Sequence, residues 1–171
     1  MLLGGPYLSF YDSVKSFIPK TRLFIDPLHT IAYGTDASFY RLIPKIVIVC
    51  EYAEEVSAIL KEANQRGLPV VFRAAGTSLS GQAITDSILI ITSRDWRGIR
   101  INKDASLVTL DPSVVGSTAN EALLPHGKKI GPDPASINSA MIGGIAANNA
   151  SGMCCGTSDN SYKTLHSMKI V

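Results

Sequence analysis

Lys45-Ile46-Val47-Ile48-Val49-Cys50, then Val56, Ile59, Leu60 and Ala63, then Pro69-Val70-Val71-Phe72 form the stretch that decides the fold. The first run is apolar without alternation and dense in β-branched residues, as in a strand buried on both faces. In the middle segment the apolar residues fall at i, i+3, i+4 and i+7, one stripe of a helix that stops at Gly67. The last run restarts as a strand. Strand, helix, strand in this order predicts a right-handed parallel crossover. Ile88–Thr92 adds a third buried strand, so the class is α/β with a short parallel sheet.

Upstream, Phe10–Ile18 and Pro27–Tyr33 suit short helices, followed by the turn-rich Gly34-Thr35-Asp36-Ala37-Ser38. Residues 1–43 are therefore expected to form a helical arm outside the core, and 44–95 a first lobe. Beyond Trp96 the pattern changes. Ile99–Ile101 and Leu107–Leu110 flank Asn102-Lys103-Asp104 as in an antiparallel hairpin, which opens a second, mixed or antiparallel lobe over 96–171. Val115–Leu124 and Ser139–Asn148 read as helices, and Thr164–Val171 alternates as a strand does. An element stopping at Val171 with neither turn nor polar tail leads to the expectation that this lobe is incomplete and the natural chain longer.

Composition narrows the function. In 171 residues, 46% are hydrophobic and 18% charged, which fits a globular chain with a real core. A net charge of +2, with Lys128-Lys129 the densest basic pair, gives no footprint for a nucleic acid. Met1-Leu2-Leu3-Gly4-Gly5-Pro6 lacks a basic, apolar leader, and no apolar run nears the roughly 20 residues that span a bilayer. Cys50, Cys154 and Cys155 are an odd number without CxxC spacing, as expected of reduced cytosolic thiols. Cys154-Cys155 reads either as two small half-buried side chains or as a strained vicinal disulfide. Three thiols do not suffice for a four-cysteine iron–sulfur cluster.

Three loops carry the chemistry. Arg73-Ala74-Ala75-Gly76-Thr77-Ser78-Leu79-Ser80-Gly81-Gln82 lies between two expected parallel strands, at the carboxyl end of the sheet. Small residues leave N–H groups accessible and hydroxyls stand at Thr77, Ser78 and Ser80, a composition that wraps an anion such as a diphosphate. Taken alone, it also reads as a flexible connection. Gln82-Ala83 stands where a P-loop needs Lys and Ser or Thr, and GxGxxG is absent. The second loop, Gly131-Pro132-Asp133-Pro134-Ala135-Ser136, is stiffened by two prolines. The third, Ile142-Gly143-Gly144-Ile145-Ala146-Ala147-Asn148-Asn149-Ala150-Ser151-Gly152, permits close approach of a large flat ligand, or else tight helix packing at Gly143-Gly144.

Together with Tyr33-Gly34-Thr35-Asp36-Ala37-Ser38-Phe39-Tyr40-Arg41, these loops resemble the FAD-binding domain of the vanillyl-alcohol oxidase and p-cresol methylhydroxylase type (PCMH-type). Within it they look most like the bacterial D-lactate and glycolate dehydrogenase branch, the FAD-linked oxidases. The resemblance implies two small α/β lobes that clasp FAD. It places Ala75, Gly76, Thr77, Ser78, Leu79, Ser80, Gly81 and Gln82 around the diphosphate. Pro132, Asp133, Gly143, Gly144, Ala147, Asn148, Asn149, Ser151 and Gly152 then lie along the cofactor. It further implies a cap domain for a 2-hydroxy acid, a downstream electron acceptor or iron–sulfur domain, and a cytoplasmic location, peripheral at the inner face of the membrane. Many relatives bind FAD covalently through a histidine in an Arg-Ser-Gly-Gly-His-Ser pattern; here Thr77 stands in that place, so noncovalent FAD is expected. His29, His126 and His166 sit singly, and no catalytic residue or metal ligand is expected in this segment.

The expected activity is oxidation of a D-2-hydroxy acid, D-lactate first, with hydride passing to flavin. Two other readings stay open: a nucleotide-binding or FAD-binding module without turnover, and a cell-wall biosynthetic reductase on the same scaffold.

Overall fold

In the computed structural model the described residues are 3–171; Met1 and Leu2, part of the expected arm and of the start expected to carry no leader, lie outside them. Ile46–Cys50, Val70–Arg73 and Ile88–Thr92 are strands β2, β3 and β4, preceded by a two-residue strand β1, Leu23–Phe24. The sheet order is β1-β2-β4-β3. β4 runs parallel to both β2 and β3, with Ile46 opposite Ile88 and Val70 opposite the same Ile88, while β1 adds an antiparallel edge. The crossover from β2 through helix α3, Ala53–Gln65, therefore skips one position, and the last strand in sequence occupies the middle.

Because side chains alternate along a strand, the register sorts the core into two faces. Val47, Leu89 and Ile91 pack with Phe24, Tyr33, Val49 and Val71 on one. Ile46, Ile48, Ile88 and Ile90, on the other, are wholly buried. Each such side chain contributes roughly 1.5–3 kcal/mol relative to exposure.

The segment expected as an arm is part of this core. Helix α1, Pro6–Val14, packs on α3, and Phe10, Val14 and Ile18 are 0%, 0% and 1% exposed. The helix expected over Phe10–Ile18 is Pro6–Val14 instead: Phe10 and Val14 are i, i+4 on its buried face, and Ile18 follows on the turn after it, its N–H bonded to the Val14 carbonyl. β1, not β2, is thus the first strand. A short 3₁₀ turn, Lys20–Arg22, brings Arg22 against α3. Its guanidinium donates two bonds to the Glu55 carboxylate, at 2.8 and 2.7 Å, and one to the Val49 carbonyl at 3.0 Å. Burial alone would raise the Glu55 carboxyl, but the Arg22 bonds and the Glu51 N–H outweigh it and hold the carboxyl below its usual value. Helix α2, Pro27–Ala32, is capped by the Asp26 side chain.

The chain divides into two compact units, the first ending at Ser93 and the second Arg94–Ile170, where the sequence reading starts its second lobe at Trp96. In the second unit β5, Ile99–Ile101, and β6, Val108–Leu110, form the expected antiparallel hairpin. With helix α4, Gly116–Leu123, they enclose Val114, Ala119, Leu123 and Ile130. Helix α5 covers Ile142–Ala147 only. The expected start at Ser139 fails because Met141 forms an antiparallel bridge with Val115, and the Ala140 carbonyl accepts from the Gly116 N–H, keeping that backbone extended. The expected strand over Thr164–Val171 is absent. Instead Ser161–Thr164 forms a short helix α6 capped by Asn160, and residues 165–171 have no regular structure, with Leu165, Met168, Ile170 and Val171 exposed. Alternation without a pairing edge makes no strand.

Candidate functional site

In the first unit β3 ends at Arg73 and hands over to the loop through Gln82 at the carboxyl end of the parallel strands, where open α/β sheets place their ligands. Gly76 and Gly81 both have φ of +73°, a conformation other residues resist. The Ser78 hydroxyl accepts the N–H groups of Ser80 and Gln82, each at 3.2 Å, and folds the loop tip on itself. Segment 33–41 anchors both ends. The Ala37 N–H donates to the Gly76 carbonyl at 3.0 Å, the Arg73 guanidinium to the Thr35 carbonyl at 2.6 Å, and the Ala83 N–H to Asp36 at 3.3 Å. Burial opposes charge on Asp36, yet its bonds from Ser38 and Ala83 hold its carboxyl below the usual value.

What the anchoring leaves over is informative. Among the described residues, the backbone N–H groups of Ala75, Gly76, Thr77, Ser78 and Leu79 have no acceptor in the chain, nor have the hydroxyls of Thr77 and Ser80 a partner. Consecutive unengaged N–H groups in a glycine-bent loop are the donor set that an anion requires. Beside this loop a cleft of about 330 Å³ is lined by Tyr40, Arg41, Leu42, Ser80, Gly81 and Ile84. Tyr40 and Arg41 belong to the expected lead-in, but their place beside Gly81 has no signal in local sequence.

The second unit holds the other expected residues. Pro132 is buried, and the carbonyl of Asp133 presses so closely on Gly152 that a Cβ there would sit 1.6 Å from the oxygen. Gly143, at the start of α5, donates its N–H to the Pro112 carbonyl at 2.8 Å. The Asn149 side chain accepts the Tyr162 N–H at 3.0 Å, so this amide is engaged within the unit. Ala147, Asn148 and Ser151 are exposed; Gly144 is partly buried. Ser161 knits the segment together through bonds to the carbonyls of Ile145 and Ala150. The loop 131–136 and the segment 142–152 are thus brought together, as backbone against backbone.

The buried Cys155 thiol donates to the Gly152 carbonyl at 3.5 Å, at the end of the third loop. His29 stacks on Phe24 and bonds Asp26; Cys154 is exposed; the buried Cys50 thiol is pushed up to about 12 by burial. Among the described residues no group of three His, Cys, Asp or Glu side chains is placed to hold a metal. No helix there is long and apolar enough to cross a membrane.

The first unit is thus an α/β unit whose strand-to-strand loop offers a run of free N–H groups, and its family is known from its relatives. The profile described as FAD binding domain matches residues 44–171, and the chain belongs to that family; its cofactor is FAD. Glycolate oxidase subunit GlcD of Escherichia coli K12 is 35% identical over 146 residues, covering 84% of this chain and 29% of the relative. D-lactate dehydrogenase of Archaeoglobus fulgidus is 32% identical over 109 residues, 63% of this chain and 24% of the relative. D-2-hydroxyglutarate dehydrogenase of Pseudomonas putida is 27% identical over 150 residues, 85% and 15%. The chain thus spans less than a third of the length of these relatives. In fold it is similar to alkyldihydroxyacetonephosphate synthase, TM-score 0.77 at 18% identity over 90% of this chain and 31% of that one. It is also similar to 4-ethylphenol oxidase of Gulosibacter chungangensis, TM-score 0.72 at 19% over 88% and 30%.

Proposed function

We propose that this chain is the FAD-binding part of an oxidoreductase acting on a D-2-hydroxy acid, with D-lactate the first substrate to try. The observation that carries the reading is the run of unengaged N–H groups from Ala75 to Leu79 around Gly76, which suits the FAD diphosphate. A cradle bent at φ of +73°, with a glycine where any Cβ would strike the Arg73 guanidinium, fits that group. Three relatives support the substrate class by name: glycolate, D-lactate and D-2-hydroxyglutarate are all 2-hydroxy carboxylates.

In this reading Ala75 to Gly81 hold the diphosphate, with the Thr77 and Ser80 hydroxyls as additional donors, and Gln82 braces the loop through Ser78. Pro132, Asp133, Gly143, Gly144 and the 147–152 segment contribute from the second unit, where Gly152 and Asp133 keep the backbone close-fitting. Bound flavin supplies the redox chemistry by accepting hydride. The substrate cap and the electron acceptor belong to sequence outside 1–171, and a cytoplasmic location is part of the same reading.

Thr77 in place of a histidine makes the attachment noncovalent. Acid precipitation of the holoprotein should release all yellow colour into the supernatant; flavin fluorescence retained on the denatured polypeptide would overturn this. Replacing Gly76 by valine should abolish flavin retention, and a folded variant with a full flavin complement would refute the loop assignment. For the substrate, the protein at the length its gene encodes is tested with D-lactate, glycolate, D-2-hydroxyglutarate and a dye acceptor. Reduction by none of them would overturn the 2-hydroxy-acid reading.

A further inference from the structure

The guanidinium of Arg73 is the feature of the first unit that neither the core nor the loop anchoring uses up. It is half-buried, between the Tyr33 ring at 5.8 Å and the loop, and only Nη1 finds acceptors, the carbonyls of Thr35 at 2.6 Å and Tyr33 at 3.4 Å. Among the described residues Nε and Nη2 have no acceptor, and no carboxylate forms an ion pair with this group. Both unclaimed atoms lie directly beneath Gly76. A Cβ on that glycine would meet Nη2 at 2.6 Å and Nε at 2.7 Å. A guanidinium withdrawn from water normally has its N–H groups paired, because an unpaired buried cation is costly. Burial does disfavour its charge, and only the field of Asp36 and Tyr33 opposes this.

Two observations meet at one residue. Gly76 lies in a run of N–H groups without acceptors, and the place its Cβ would take is filled by a cation with donors to spare. We infer that Arg73 is the positioning cation of the phosphate loop, fixing the FAD diphosphate through its charge from under Gly76. The inference rests on the reading of Ala75–Gly81 as the diphosphate site and adds a residue outside it. Arginine suits the post because one edge of its fork binds segment 33–35 while the other stays free, and its charge persists at any working pH. Lysine has a charge but no fork; glutamine has a carbonyl-binding amide but no charge.

That difference supplies the test. Arg73→Lys and Arg73→Gln are made in the protein at the length its gene encodes, and FAD affinity is titrated at several NaCl concentrations, with melting of each apoprotein followed in parallel. The glutamine variant should bind FAD about tenfold or more weaker, with a shallower salt dependence, while melting near the wild type. The lysine variant should recover most of the affinity. Glutamine binding as well as wild type, or lysine and glutamine failing equally in folded protein, overturns the inference. If the glutamine variant does not fold, the lysine variant decides: retained affinity supports a charge role, and loss of affinity in folded protein refutes it. Gly76→Val separates the two layers. If it too keeps FAD, the loop reading itself falls; if it loses FAD while Arg73→Gln keeps it, only the role of Arg73 falls.

Discussion

The loop after β3 and the segment from α5 to Gly152 are both glycine-rich, yet glycine serves opposite purposes in them. In the first, Gly76 and Gly81 are needed for backbone conformation, φ of +73°, and the N–H groups from Ala75 to Leu79 stay unengaged. In the second, Gly143 and Gly152 are needed for proximity, the one against Pro112 and the other against Asp133. One loop is open and rich in spare donors; the other is closed upon its own unit. A glycine in sequence announces a constraint without saying which kind.

The largest expected effect falls on proximity. Gly152→Ala would drive a methyl group into the Asp133 carbonyl, and it should destabilise the protein by at least about 3 kcal/mol in urea unfolding. Gly156, with φ of +55° and open space around it, is the control and should lose only about 1 kcal/mol on the same change. Equal losses at the two positions would erase the distinction drawn here.

A middle-sized effect belongs to conformation. Gly76→Ala combines a positive φ with contact on the Arg73 guanidinium, so a loss of about 2 kcal/mol is expected. Gly67→Ala, with φ of +63° and nothing nearby, should cost about 1 kcal/mol and leave flavin content untouched. If the two variants lose flavin alike, the first loop has no special standing.

The smallest effect is one of charge and is confined to the first unit. Glu55→Gln should cost about 1 kcal/mol near neutral pH, since the carboxylate holds Arg22 against the end of β2. The folded carboxyl lies below its ordinary value of 4.5, so its stabilisation is complete above that pH and is lost as pH falls through the folded value. Unfolding curves of wild type and variant should therefore converge in acid. Hydrogen exchange should show the change in the unit ending at Ser93 and not in Arg94–Ile170.

Local patterns made the sheet legible. α3 carries a helical period, β2 and β4 are continuous apolar runs buried on both faces, and the hairpin of β5 and β6 is marked by its turn. β1 escaped because two residues have no period, and its existence depends on Ile48 and Val47 lying opposite Leu23 and Phe24. Phe10 and Val14 were legible as helix, though Ile18 lies past its end, and none was legible as core, since what α1 packs against comes from α3. Of the site, composition marks the donor-rich loop. The contact of Gly152 with Asp133 and the position of Arg73 under Gly76 are tertiary facts, visible only after the chain has folded back.

The sheet order has a consequence for how the protein is made. β2 and β3 both pair with β4 and not with each other, so a nascent chain that has emerged as far as Arg73 has only the antiparallel β1–β2 pair, with β3 unpaired. Pairing of Ile46 and Val70 waits for Ile88, a distant contact whose closure is slow. During that interval the edge of β2 that β4 will occupy lies open, a window in which a chaperone has something to hold. The loop after Arg73 is itself the connection that β4 must pull tight, so its glycine-bent shape is not fixed until synthesis has passed Thr92.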